Sequence, residues 1–293
     1  QMRSDAPAAA PDLDQHHELA REAAHRGIVL LQNEGGVLPL PSGRRIAVIG
    51  DLARHPREQG GGSSRVNATR SENPLDEIAA RGDAEVMWAQ GAPASGESGR
   101  ADELRQEAAA LAAACDAAIV YTGLAERDEV EGLDRTTISI PAEHELLVAA
   151  VAAAQPNTVA VMIHGGVVDL GRVADAAPAI VDAALAGQAS ASAVADVIFG
   201  AVNPSGRLAE TVPMRLADVP AATAFPGEES RVRYGEGVFV GYRWYDARDM
   251  EVRFPFGHGL SYTRFAYSNA RAEIVDGAVE VEVDVANTGD RAG

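Results

Sequence analysis

Seven residues, Glu129-Val130-Glu131-Gly132-Leu133-Asp134-Arg135, gather three carboxyl groups and a guanidinium in one short stretch. An apolar run, Ala117 to Tyr121, precedes them and reads as a buried strand, with a turn-like segment at Gly123 to Asp128 between. Ile138-Ser139-Ile140-Pro141 follows, then a helical pattern from Ala142. The acids therefore lie beyond the C-terminal end of a parallel strand, the edge at which open α/β sheets bind ligands. A carboxyl crowded by other carboxylates is raised in pKa and can serve as a general acid. Spacing alone does not separate that role from an ordinary acidic surface loop.

The whole chain limits what this loop can serve. Its 293 residues suffice for one large domain and an appendage, and a hydrophobic share of 46% is ample for a packed core. The formal net charge is -18 and every basic side chain is Arg. That balance disfavours nucleic acid, which requires clustered cations, and adsorption to anionic membranes. Cys115 is the single cysteine, so no intramolecular disulfide can form, and its Ala-rich setting fits a small buried thiol. No apolar run reaches a membrane span and no signal-peptide core stands at the start, which leaves the compartment open. A first residue that is Gln points to a fragment or processed product.

The periodicity predicts a linker over 1–13, a helix from Asp14 to Leu31 with Leu19, Ala23 and Ala24 on its stripe, and an extended connector at Leu38 to Pro41. His16, His17 and His25 are expected on the surface, because neighbouring helical residues diverge too far to chelate a metal. Strands are expected at Arg45–Gly50, Ala84–Trp88, Asp116–Thr122, Thr158–His164 and Pro178–Ala184. Helices are expected at Asn73–Ala80, Ala101–Ala114, Ala142–Ala154 and Ala189–Phe199. This alternation implies a three-layer α/β/α sandwich with a mainly parallel sheet over 14–208. Residues 209–265, rich in Pro, Gly and aromatics, read as a long wrapping extension whose rings mostly pack. From 266 to 293 strict alternation at Ala278–Val285 reads as the first strands of a β-sandwich whose remainder is missing. The Gly60-Gly61-Gly62-Ser63-Ser64 loop lacks the phosphate-binding signatures and instead suits close passage of the backbone past a ligand or a neighbouring domain.

Taken together, several stretches resemble the C-terminal part of glycoside hydrolase family 3. They are Ala20–Ala24 with Ile28–Glu34, Leu38-Pro39-Leu40, Ile46–Gly50, Gln59–Ser64, Glu129–Arg135, Asn203–Leu208, Tyr234–Gly237 with Val240–Arg243, and Phe254–Thr263. The resemblance implies an α/β sandwich followed by the start of a fibronectin type III-like domain. It also implies a retaining, exo-acting hydrolase of β-linked sugars whose Asp nucleophile sits on an N-terminal (β/α)8 barrel. On that match Glu131, just before Gly132, is first choice for the acid/base and Glu129 second. Asp134 and Arg135 are expected to fix the loop as a carboxylate–guanidinium pair. Gly62 and Ser63 border the leaving-group side, and Tyr234, His258 and Tyr262 are mainly structural. Gln32, where relatives often carry Lys, and Val168 and Gly171, where they place Pro and Trp, are departures.

The implied substrate is an oligosaccharide or an aryl or alkyl β-glycoside, with neither metal nor organic cofactor, and a homodimer is left open. Without its barrel the chain is expected to be inactive. A β-xylosidase specificity, a non-catalytic carbohydrate-binding protein and a nucleotide-binding α/β protein are the alternatives. The third is disfavoured by the missing phosphate loop.

Overall fold

The computed structural model describes residues 10–94 and 99–293. Most of the expected N-terminal linker, and residues 95–98, lie outside these. Helix α1 spans Leu13–Gly27, and its N-cap Asp12 accepts a hydrogen bond from the Gln15 amide at 3.0 Å. The helix expected to run to Leu31 ends earlier. Val29–Asn33 forms strand β1, because Gly27 halts the helix and the aliphatic run behind it suits a buried strand. Leu19, expected on the apolar stripe, is 63% exposed.

Alternating elements follow: β2 (Arg45–Ile49), α2 (Pro74–Gly82), β3 (Glu85–Ala89), α3 (Ala101–Ala113), β4 (Ala117–Gly123), α4 (Ala142–Ala154), β5 (Thr158–Ile163), α5 (Gly171–Ala176), β6 (Ala179–Asp182) and α6 (Ser190–Ile198). They build one six-stranded sheet, ordered β1-β6-β5-β4-β2-β3. All neighbours are parallel except β1, which runs antiparallel to β6 at the edge. The chain winds from β2 outward to β3, then crosses back to β4 and continues the other way. The C-terminal ends of β2 and β4 therefore flank a topological switch point.

The period of two along the strands divides the core between two faces. Ile49, Val120, Met162 and Ile180 face Leu147, Val148 and Val151 of α4 and Ala108 and Ala112 of α3. Ile46, Val48, Ile119, Val161 and Val181 face Ala24 of α1, Ile78 of α2 and Val194, Val197 and Ile198 of α6. Each fully buried Val, Leu, Ile or Met among them stabilises by roughly 1.5–3 kcal/mol. Cys115 is buried, as expected.

Two of the N-terminal histidines are not surface residues. His17 is buried, its Nε2 2.8 Å from Glu72 Oε1 and its Nδ1 2.9 Å from Gln188. His25 Nε2 lies 2.9 Å from Asp196 Oδ2, and Arg81 donates to the same carboxylate at 2.6 Å. Their places on α1 turn these two side chains inward, where they fasten the helix to the rest of the domain. His16 is exposed.

Beyond α6 the chain returns to β1. Leu260 N–H donates to Leu30 O at 2.8 Å, His258 Nε2 lies 2.8 Å from Leu31 O, and Tyr262 Oη donates to Val197 O at 2.8 Å. His258 and Tyr262 thus pin the extension as expected. Tyr234 does not, since it is 85% exposed. Short strands β7 (Val212–Pro213) and β8 (Val252–Phe254) pair around helix α7 (Tyr242–Asp246). Strands β9 (Phe265–Val275) and β10 (Ala278–Asn287) form an antiparallel hairpin whose valines 279, 281, 283 and 285 are all exposed.

At the end of β4, Gly123 holds φ at +145°, and a Cβ there would run into the Ile163 carbonyl of β5. Gly123→Ala should cost about 1–3 kcal/mol from overpacking, with backbone strain added. Urea unfolding of the variant checks this.

Candidate active site

Three loops meet at the C-terminal edge of the sheet. The loop after β2 carries Arg57 and the glycines at 60–62. The loop after β4 carries Glu129 to Arg135. The loop after β5 carries His164, Gly165 and Gly166. They are stitched by backbone and by charge. Gly61 and Val130 form a parallel bridge, with Gly61 N–H 3.3 Å from Glu129 O. Further along, Asp169 N–H donates to Ile138 O at 2.7 Å.

Glu129 is the centre of the stitching. Arg57 Nη1 donates to Oε2 at 2.6 Å, the Gly165 amide to Oε2 at 2.8 Å and the Gly166 amide to Oε1 at 2.8 Å. Arg135 adds an ion pair to Oε1 at 3.5 Å. The Arg57 and Glu129 side chains are only 6% and 11% exposed. Burial by itself would raise this carboxyl, but the Gly166 amide, Arg57 and the Gly165 amide outweigh it and hold Glu129 below the ordinary range. Crowding by acids was expected to raise a carboxyl in this stretch; at Glu129 the donors that surround it have the opposite effect.

Glu131 stands two residues on and is exposed. Its Cβ lies over Gly62, where a Cβ built on the glycine would come within 3.1 Å of it; φ there is +77°. Glycine at 62 is therefore required by conformation and by space alike. Gly60, Gly61, Ser63, Ser64, Val130, Leu133 and both glutamates line an open cleft of about 480 Å³. Gly62 and Ser63 are thus brought beside Glu131. A more enclosed hollow of about 400 Å³ lies over the switch point, lined by Asp51, Leu52, Tyr121 and His144. It lacks Glu131, so the open cleft is where that carboxyl could meet a ligand.

The expected Asp134–Arg135 pair does not form. Arg135 turns to Glu129 and donates to Val167 O at 2.6 Å, while Asp134 is exposed. The buried carboxylate competes better for the guanidinium because it has less water to lose it to. Gln32, one of the departures, closes the end of α5 by donating to Ala174 O at 3.0 Å and Ala177 O at 2.9 Å. Arg57 and the Gly165-Gly166 pair were not anticipated as site residues. The pair carried a signal, since two glycines at a strand end can present successive amides to an anion. Arg57 carried none. Among the described residues no group of three or more His, Cys, Asp or Glu is placed to hold a metal ion.

Residues 28–262 match the family model of the glycosyl hydrolase family 3 C-terminal domain. Thermostable β-glucosidase B of Acetivibrio thermocellus is 44% identical over 288 residues, 96% of this chain and 38% of that protein. An exo-α-(1→6)-L-arabinopyranosidase of Bifidobacterium breve is 42% identical over 290 residues, 95% of this chain and 38% of that protein. The crystal structure of a GH3 β-glucosidase from Bifidobacterium adolescentis superposes with a TM-score of 0.92 at 43% identity, covering 98% of this chain and 42% of that one. The chain thus spans about two fifths of the length of these relatives.

Because Glu129 titrates below the usual 4.5 when folded, its clamp is at full strength above that pH and fades as pH falls through the lowered folded value. Glu129→Gln, which leaves Arg57 buried without its anion, should cost about 3–5 kcal/mol at pH 7. Urea unfolding across pH 3–7 (roughly the span over which carboxylates titrate) should show the difference between wild type and variant shrinking at the acid end.

Proposed function

Since the chain belongs to glycosyl hydrolase family 3, matching its C-terminal domain, we propose that it is the acid/base-bearing part of a retaining, exo-acting β-glycosidase. The carrying observation is the division between two glutamates. Glu129, its side chain 11% exposed, is held ionised by Arg57 and two amides at the wall of the cleft, whereas Glu131 is exposed at the loop tip. A glycosidic oxygen leaves poorly unless protonated as its bond breaks. Glu131 donates that proton, then takes one back from the water that releases the sugar. Glu129 positions it, and Gly62 and Ser63 border the departing group.

The nucleophile is an aspartate of the (β/α)8 barrel that the family resemblance implies. In a retaining enzyme it stands about 5–5.5 Å from the acid/base carboxyl. The barrel therefore docks over the cleft between Ser63 and Glu131. Without it this chain does not turn over glycosides. The substrates are oligosaccharides or aryl and alkyl β-glycosides. The relatives' names, β-glucosidase and exo-α-(1→6)-L-arabinopyranosidase, mark glucosides and arabinopyranosides as substrates to assay, with xylosides, the alternative left by the sequence, beside them.

The test uses the full-length enzyme. Glu131→Gln should lower turnover of alkyl β-glucosides by about 10²–10⁴-fold. It should largely spare dinitrophenyl glucoside, whose leaving group needs no proton, and azide should rescue its deglycosylation. Finding that signature in Glu129→Gln instead would transfer the role to Glu129. Turnover by the 293-residue chain alone would overturn the shared-site reading.

A further inference from the structure

We infer that His164 and Asp182 are a buried positioning pair for Glu131, acting through the turn that cradles Glu129. The inference rests on Glu131 being the acid/base. The two residues sit at the C-terminal ends of neighbouring parallel strands, β5 and β6, and are 5% and 8% exposed. A buried ionisable pair is costly to keep where an apolar pair would pack as well, and neither residue reaches the cleft at Glu131.

The geometry gives them a task. His164 Nδ1 lies 2.9 Å from Gly166 O. A carbonyl only accepts, so Nδ1 carries the hydrogen, and Nε2 faces Asp182 Oδ1 at 3.4 Å. Nε2 makes no hydrogen bond, so its contact with Asp182 is one of close approach between two buried polar groups. Asp182 is itself held by the Ala184 amide at 3.0 Å. The imidazole thus closes the turn His164-Gly165-Gly166 on itself. The two amides of that turn, at Gly165 and Gly166, are the ones that bind the Glu129 carboxylate. Glu129 is separated from Glu131 by Val130 alone, and Val130 is bridged to Gly61. A rotation of the turn is therefore carried to the loop tip with few soft torsions to absorb it. The other charges bearing on the pair are Glu210, which senses His164, Asp182, Arg135 and Glu129, and Arg57 behind Glu129.

Two substitutions at His164 in the full-length enzyme separate positioning from bulk stability. His164→Asn keeps an N–H near the Nδ1 position and the hydrogen bond to Gly166. His164→Gln loses that group and keeps one near Nε2. His164→Gln should reduce kcat on alkyl β-glucosides by about 10²-fold, the penalty of a misplacement near 1 Å. It should leave dinitrophenyl glucoside little changed, and His164→Asn should recover most of the loss. If His164→Gln does not fold, Asp182→Asn must show the same dependence on the leaving group. Equal loss on both substrates, or a fall in Tm with no leaving-group dependence, overturns the inference while the role of Glu131 stands. If Glu131→Gln itself shows no leaving-group dependence, the acid/base reading fails first and this one with it.

Discussion

The carboxylate of Glu129 is the constraint on which this edge of the sheet depends. Desolvating an ion of that size costs several kcal/mol, and only well-directed donors recover it. Here they come from two other loops: Arg57 after β2 and the Gly165 and Gly166 amides after β5. The charge cannot be satisfied unless all three loops are in place together. A negative group that would be unfavourable in isolation becomes the means by which three irregular segments share one geometry. Glu131 inherits that geometry because so little chain lies between the two residues.

The α/β sandwich was largely legible because its signals are local and repetitive. The pattern at Ala142–Ala154 matches α4 to the residue, and Asn73-Pro74 opens α2 as cap and first turn. The end of α1 was less legible. Ile28 to Leu31 continues an apolar stripe, and only Gly27 and pairing with the distant β6 show that the chain becomes a strand. Partner choice was harder still. Arg135 lies beside Asp134 in sequence, but what it contacts depends on which carboxylate is buried. Residues 129 and 131, two apart, would share a side in a regular strand; Glu129, with ψ of 71°, departs from strand geometry, so one glutamate turns in and the other out.

The extension follows a different logic. It has little regular structure, and its anchorage is a handful of hydrogen bonds to β1 and α6 through His258, Leu260 and Tyr262. Ser261 Oγ and the Tyr262 amide both donate to Asn203 Oδ1, at 3.0 and 2.9 Å, so two of the stretches that carry the family resemblance clasp each other. Between these anchors the aromatics divide. Tyr245 and Phe254 are buried while Tyr234 and Phe256 face outward. Aromatic density in sequence therefore distinguished an unusual segment from the sandwich without saying which rings were packing.

The placement of β1 has a consequence for synthesis on the ribosome. Its apolar residues Val29 and Leu30 pair with β6, which ends at Asp182, and the Leu30 and Leu31 carbonyls are then met by Leu260 and His258. At roughly 5–20 residues per second the nascent strand waits many seconds for its first partner, and longer for its cover. During that interval the growing chain carries an uncovered apolar edge, open to a holding chaperone.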